Sequence, residues 1–227
     1  MGIATPPEIQ IVDDPASYVG SLLAEQATRG ASIVLTGGST PGRAYERAAQ
    51  LEPDWSGVTL WWSDERCVPP DDEQSNYGLA RETLIKRLQA RPGTVHRIRG
   101  EIAPAQAADE YDQALAGAAL DFVLLGLGTD GHIASLFPDS PQLKVRDRRA
   151  THGPAGLEPL VHRVTMTLPT LRSAARIVFL IVGEGKADAV AAAFGGDVSP
   201  HVPASLIRLS QVPVEVYLDE AAAAKLG

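Results

Sequence analysis

Hydrophobic positions along the chain follow two periods. Short unbroken apolar or β-branched runs, Ser32-Ile33-Val34-Leu35, Val58-Thr59-Leu60-Trp61-Trp62, Phe122-Val123-Leu124-Leu125, 177–182 and 214–218, have the length of buried strands. Longer amphipathic stretches lie between them and read as helices. The first opens at Asp14-Pro15, a capping carboxylate followed by proline at the first helical position, and is predicted to run to about residue 29 and stop at Gly30. Further helices are expected over 41–51, 75–90, 104–116, 186–194 and, at the alanine-rich end, 219–226, with a short strand at 95–98. Residues 139–160 hold Pro, Gly, Arg and Asp with little periodicity and read as a long surface loop or lid; order returns at 161–166.

Strands alternating with helices predict an α/β fold, a doubly wound, mostly parallel sheet with helices on both faces, in one domain spanning 1–227. In such sheets ligands bind outside the carboxyl ends of the strands, so the loops after the strands are where chemistry is to be sought.

Three of those loops are unusual. Thr36-Gly37-Gly38-Ser39-Thr40-Pro41-Gly42 follows the first buried strand and precedes a helix. Paired glycines let N–H groups point inward, two hydroxyls add donors and the helix N-terminus favours an anion, so this is either a phosphate cradle or a tight capped turn. No Gly-Lys-Ser/Thr follows, so it is not a Walker A loop. Ser63-Asp64-Glu65-Arg66-Cys67 ends the Trp-rich strand, and its charges either bind a polar ligand or pair with one another. Gly126-Leu127-Gly128-Thr129-Asp130-Gly131-His132 follows the most apolar strand. It matches Gly-x-Gly-x-x-Gly, but Pro138 cuts short the helix a dinucleotide needs, and no acidic residue ends a clear second strand about 20 residues on. The fold is therefore expected to be Rossmann-like without a dinucleotide site. What remains is His132 with Asp130 two residues away, a general base with its orienting acid or a hydrogen-bonded bystander beside a turn. Lys186, between a strand and a helix, approaches the same sheet edge, and Arg163 precedes Leu168-Pro169; either is a ligand or an ordinary surface charge.

Charge and composition narrow the classes. With 20 Lys and Arg against 28 Asp and Glu the formal net charge is −8, the wrong sign for a general nucleic-acid or anionic-membrane binder. Cys67 is the single cysteine, so an internal disulfide or a multi-cysteine zinc site is excluded. His96, His152, His162 and His201 stand in no recognisable ligand spacing, and no metal is expected. No Gly-x-Ser-x-Gly elbow occurs. Residues 1–7 carry no leader pattern, and no apolar run approaches the roughly 20 residues of a membrane helix, so a cytoplasmic location is expected.

Six motifs in order complete a pattern. Leu35-Thr36-Gly37-Gly38-Ser39-Thr40-Pro41, Trp62-Ser63-Asp64-Glu65-Arg66, the Gly126-to-Pro138 segment with Asp130-Gly131-His132, Arg163-Val164-Thr165-Met166-Thr167-Leu168-Pro169, Gly185-Lys186-Ala187 and Pro203-Ala204-Ser205 together resemble the 6-phosphogluconolactonase family, from about residue 10 to 225. The resemblance implies hydrolysis of 6-phosphoglucono-1,5-lactone, with His132 as general base and Asp130 beside it. It implies phosphate binding by Ser39 and its loop (Gly37, Gly38, Thr40), by Arg66 and Lys186, with Arg163 a weaker candidate; Asp64 and Gly128 complete the expected substrate site. It implies no metal and no organic cofactor. The expected partner is a small sugar-phosphate lactone, with no nucleic acid or membrane, and the default state is a monomer. Glucosamine-6-phosphate deaminases share the glycine loop and the Asp-Gly-His-Ile-Ala stretch that includes Ile133, but carry a Glu where this chain has Phe137 and lack the Arg after Asp64-Glu65. A non-catalytic sugar-phosphate sensor is the alternative from another class.

Overall fold

The structure, a computed structural model, describes residues 6–227. The absence of a leader expected at residues 1–7 thus concerns a stretch of which 1–5 lie outside the described residues.

The amino-terminal half lays down β1 (Glu8–Ile11), α1 (Pro15–Thr28), β2 (Ser32–Leu35), α2 (Ser39–Leu51) and β3 (Thr59–Trp62). It continues with β4 (Asp64–Arg66), α3 (Asn76–Thr83), β5 (Thr94–His96), α4 (Pro104–Ala114) and β6 (Phe122–Leu125). The rest comprises β7 (Ala150–Gly153), β8 (Arg163–Met166), α5 (Leu168–Arg172), β9 (Arg176–Ile181), α6 (Ala187–Val190), β10 (Val214–Leu218) and α7 (Glu220–Ala223). Asp14 caps α1 as the sequence predicts, its carboxylate accepting from Ser17 N–H with Pro15 in the first turn.

Seven strands form one sheet in the order β1-β10-β9-β6-β2-β3-β5, every neighbouring pair parallel. The chain enters at one edge, crosses to β2, and steps outward through β3 to β5. It then returns to the other side of β2 and steps back through β6, β9 and β10. Right-handed connections put α1 and α2, on the outward leg, on one face and α4 and α6, on the return leg, on the other, which makes the sheet doubly wound. The direction reverses between β2 and β6, so the crevice that receives ligands opens there. The strands flanking it are apolar because both of their faces are covered: all four residues of β6 are buried. Phe122, Phe179, Trp55 and Trp62 are among the largest fully buried side chains, each stabilising by about 1.5–3 kcal/mol through area removed from water.

Two tyrosines finish the strand ends beneath the site. Tyr45 of α2 donates to Thr36 O at 2.6 Å and accepts from Thr36 N at 2.9 Å, closing both polar groups of the residue after β2. Tyr111 of α4 does the same for Trp62 at the end of β3, donating to its O at 2.8 Å and accepting from its N–H at 2.9 Å. Burial pushes both phenols well above their ordinary range, so both hydroxyls keep their protons.

A second sheet, β4-β8-β7, is antiparallel, with Asp64 opposite Thr165 and Arg66 opposite Arg163. Ser63 is the hinge: its N–H still donates to Leu35 O in the large sheet, while its carbonyl already accepts from Met166 in the small one. This sheet departs from the expected pattern, and β7 and a 3-10 turn at Pro141–Lys144 break up the loop expected over 139–160. The helix expected over 75–90 ends at Thr83, giving way to a 3-10 turn at Ile85–Arg87. The one expected over 186–194 keeps only four α-helical residues, between a 3-10 turn and a widened π turn at Ala191–Gly195. The terminal helix is likewise four residues long, and among the described residues no helix is long and apolar enough to cross a membrane.

Candidate active site

A cleft of about 320 Å³ opens at the carboxyl ends of β2, β3 and β6. Its walls include Gly37 and Gly38 after β2, Asp64 and Arg66 of β4, Gly128 and His132 after β6, and Lys186 before α6. Seven of the expected site residues therefore meet there, from four separate stretches of chain.

The glycine loop does what its composition predicts at the helix start. Gly38 takes φ +109°, a left-handed backbone that disfavours side chains, and no side chain caps α2. Pro41 has no N–H and that of Gly42 donates to Gly38 O at 3.1 Å, so the first-turn N–H groups beyond the reach of an intrahelical acceptor are those of Ser39 and Thr40. Ser39 and Thr40 form that first turn beside the cleft and do not line it.

The loop after β6 is organised around His132. Its Nδ1 is 2.6 Å from Asp130 Oδ1, and its backbone N–H donates to the same oxygen at 3.1 Å. Burial alone raises the Asp130 carboxyl, but the hydrogen bond and charge of His132 outweigh it and hold the acid below its ordinary value. The pair is partly open to solvent, with 20% and 28% of the two side chains exposed. Gly128 is needed for space, since a Cβ there would come within 2.0 Å of His132 Nδ1. Its N–H is taken by His132 O at 2.9 Å, and that of Gly131 by Gly128 O at 3.0 Å, so neither is free to serve an oxyanion. No helix begins between β6 and the 3-10 turn at Pro141–Lys144, so the helix N-terminus of a dinucleotide site is missing from this loop.

Two cations face the cleft, and among the described residues neither has a carboxylate within 4.0 Å. Arg66 Nη1 donates to Gln74 O at 2.6 Å, and Lys186 Nζ to Leu127 O at 2.7 Å, carbonyl contacts that aim the groups without neutralising them. Burial pushes the Lys186 ammonium down, with Asp130 pulling the other way. Arg163 does not line the cleft. Only 4% exposed, it sits behind Arg66 in the small sheet, gives Nη2 to Pro159 O at 2.8 Å, and among the described residues leaves Nε and Nη1 without protein partners. Its burial, then the Arg66 charge, lower its pKa.

The sequence reading missed Asn76, Ala134 and Leu157, which also line the cleft. Asn76 reads as one more residue of a helix start, and Leu157 lies in the aperiodic stretch; only the folding of distant loops brings them in. Glu65 proves to be structural: buried, it accepts from Ser75 Oγ and from the N–H groups of Asn76 and Tyr77, which pins α3 to β4. Among the described residues no cluster of three or more His, Cys, Asp or Glu is placed to hold a metal ion.

Comparisons with known proteins place the chain among relatives. Residues 10–216 match the family described as glucosamine-6-phosphate isomerases/6-phosphogluconolactonase. The chain is 39% identical to a 6-phosphogluconolactonase of Mycobacterium tuberculosis, over 82% of each chain. It is 33% identical to a probable 6-phosphogluconolactonase of Arabidopsis thaliana, over 86% of this chain and 81% of the other. The solved 6-phosphogluconolactonase of Trypanosoma cruzi superposes with a TM-score of 0.84 at 25% identity, covering 99% of this chain and 98% of that one. The chain therefore belongs to the glucosamine-6-phosphate isomerase/6-phosphogluconolactonase family.

Proposed function

We propose that the protein hydrolyses 6-phosphoglucono-1,5-lactone to 6-phosphogluconate, with His132 as general base. The observation that carries this reading is one cleft lined by His132, whose imidazole is held by Asp130, and by two cations that among the described residues have no carboxylate within 4.0 Å. An anionic substrate supplies the missing countercharge, and the base then lies within the same small volume as the bond to be broken.

A lactone is an activated ester, so its hydrolysis needs a positioned water, a base and stabilisation of the tetrahedral oxyanion. With Nδ1 engaged by Asp130, the Nε2 of His132 takes the proton from water as the hydroxide equivalent adds to C1. Collapse of the tetrahedral intermediate breaks the bond to the ring oxygen, and His132 returns the proton to that oxygen. Asp130 holds the tautomer and stabilises the imidazolium between the two steps. Arg66, Lys186 and the open N-terminus of α2 grip the remote phosphate, and that binding energy aligns the carbonyl. Since the N–H groups of Gly128 and Gly131 are internally bonded, neither serves as an oxyanion donor.

The deaminase reading is disfavoured by Phe137. Its ring packs 4.7 Å from the His132 imidazole at the position where the deaminase pattern carries an acid. Incubation with glucosamine-6-phosphate and with freshly made lactone separates the two: acid release from the lactone without ammonia from the amino sugar supports the lactonase, and the reverse overturns it. The substrate is a small sugar phosphate, and the chain acts as a monomer.

A further inference from the structure

Lactone hydrolysis at this cleft requires three loops to keep register: the anion cradle after β2, the Arg66 strand after β3 and the His132 loop after β6. One buried carboxylate joins them. Asp64 is 5% exposed and, among the described residues, has no cation within 4.0 Å. Its Oδ2 accepts from Ser135 Oγ at 2.7 Å, three residues beyond His132. Its Oδ1 accepts from Ser63 Oγ at 2.9 Å and, at the long distance of 3.4 Å, from Asn76 Nδ2. The same Asn76 amide donates to Asp64 O at 2.9 Å. Asn76 in turn fills the space over Gly37, where a Cβ would come within 2.0 Å of its Oδ1. Gly37, Asn76, Asp64 and Ser135 thus form an unbroken series of contacts from the cradle to the base loop.

The base loop needs such an anchor. Ala134, between the base and Ser135, takes φ +47°, a left-handed backbone for a residue with a side chain. Strain of this kind persists only where the surroundings over-determine the conformation. Ser135 supplies two restraints, its hydroxyl on Asp64 and its N–H on Thr165 Oγ1 at 3.2 Å.

We propose that Asp64, with Ser135 and Asn76, is a positioning unit: it fixes the His132 loop against the phosphate side of the cleft and acts on the reaction through alignment. It departs from the sequence expectation that Asp64 binds substrate, and it rests on the lactonase reading. A misplacement of about 1 Å between a base and its substrate costs on the order of a hundredfold in rate, so loss of the anchor is read in turnover.

The test assays Ser135→Ala, Asp64→Asn, the double variant and Asn76→Ala with 6-phosphoglucono-1,5-lactone, each checked for a cooperative melt. Turnover falls about tenfold to a hundredfold in each, while KM stays within about threefold. The double variant is no slower than the slower of Ser135→Ala and Asp64→Asn, because both break one link. A raised KM with unchanged kcat makes Asp64 a substrate contact and overturns the proposal, as do unchanged rates or losses that multiply in the double variant. Should Asp64→Asn fail to fold, Ser135→Ala and Asn76→Ala decide it alone: reduced kcat at constant KM supports it, and unchanged kcat overturns it. A wild-type protein inactive on the lactone would instead fail the lactonase reading, a separate result.

Discussion

His132 Nδ1 sits 2.6 Å from Asp130 Oδ1, and the backbone N–H of the same histidine reaches that oxygen at 3.1 Å. One carboxylate oxygen therefore fixes both the ring and the loop that carries it, and leaves Nε2 as the nitrogen able to act on water. Asp130→Asn keeps the shape but removes the charge that favours the imidazolium. Steady-state kinetics should show kcat down by about 10²–10⁴ with KM little changed. Unchanged kcat would make Asp130 a turn residue only.

Gly128→Ala tests the space the imidazole needs. A Cβ at this position would come within 2.0 Å of Nδ1, so the ring has to leave Asp130 or the loop has to shift. The variant is expected to melt near the wild-type temperature yet lose at least about tenfold in kcat. Full activity would mean that the His132–Asp130 geometry is unimportant to turnover.

Lys186 sets an alkaline limit on anion binding. Burial lowers its pKa, so the cationic form that an anion needs is lost as pH rises through a value below that of an ordinary lysine, about 10.4. Inhibition by 6-phosphogluconate, followed as Ki between about pH 7 and 10, should weaken along this limb in the wild type. In Lys186→Met it should be weak throughout and lack the limb. Equal Ki profiles for the two proteins would remove Lys186 from the binding site.

Tyr45→Phe probes the support beneath the cradle. The substitution strips the Thr36 N–H and C=O of their buried partner, at a cost of about 1–3 kcal/mol. Calorimetry should record a fall of several degrees in Tm, at about 2–4 °C per kcal/mol for a chain of this size. An unchanged Tm would show that water or a shifted backbone satisfies Thr36 equally well.

The large sheet was legible because its central strands are buried on both faces, which forces runs such as Phe122-Val123-Leu124-Leu125. Edge strand β1 was not: its four residues alternate polar and apolar, but the run is short and all four are exposed. Nor was the small sheet, whose strand β4 is three residues of Asp, Glu and Arg, the composition of a solvated turn. Its pairing partners lie about 100 residues away in β8, and no local pattern encodes that separation. The site divides in the same way. Gly37, Gly38, Gly128 and His132 carry their chemistry in adjacent residues and could be read. Asn76 and Ser135 act only through Asp64 and Gly37, contacts that exist once the loops have met. Arg163 shows the converse, a motif residue that sits behind the cleft, with two guanidinium nitrogens unpaired among the described residues.

The central claim is that His132 activates water against a phosphate-anchored lactone. Its most direct test follows the decay of freshly generated 6-phosphoglucono-1,5-lactone, corrected for spontaneous hydrolysis, with wild type and His132→Ala in the presence of a metal chelator. The account predicts rapid decay with the wild type, undiminished by the chelator, and a rate at least about a hundredfold lower for His132→Ala. Wild-type decay at the background rate, or a His132→Ala protein as fast as the wild type, would contradict it.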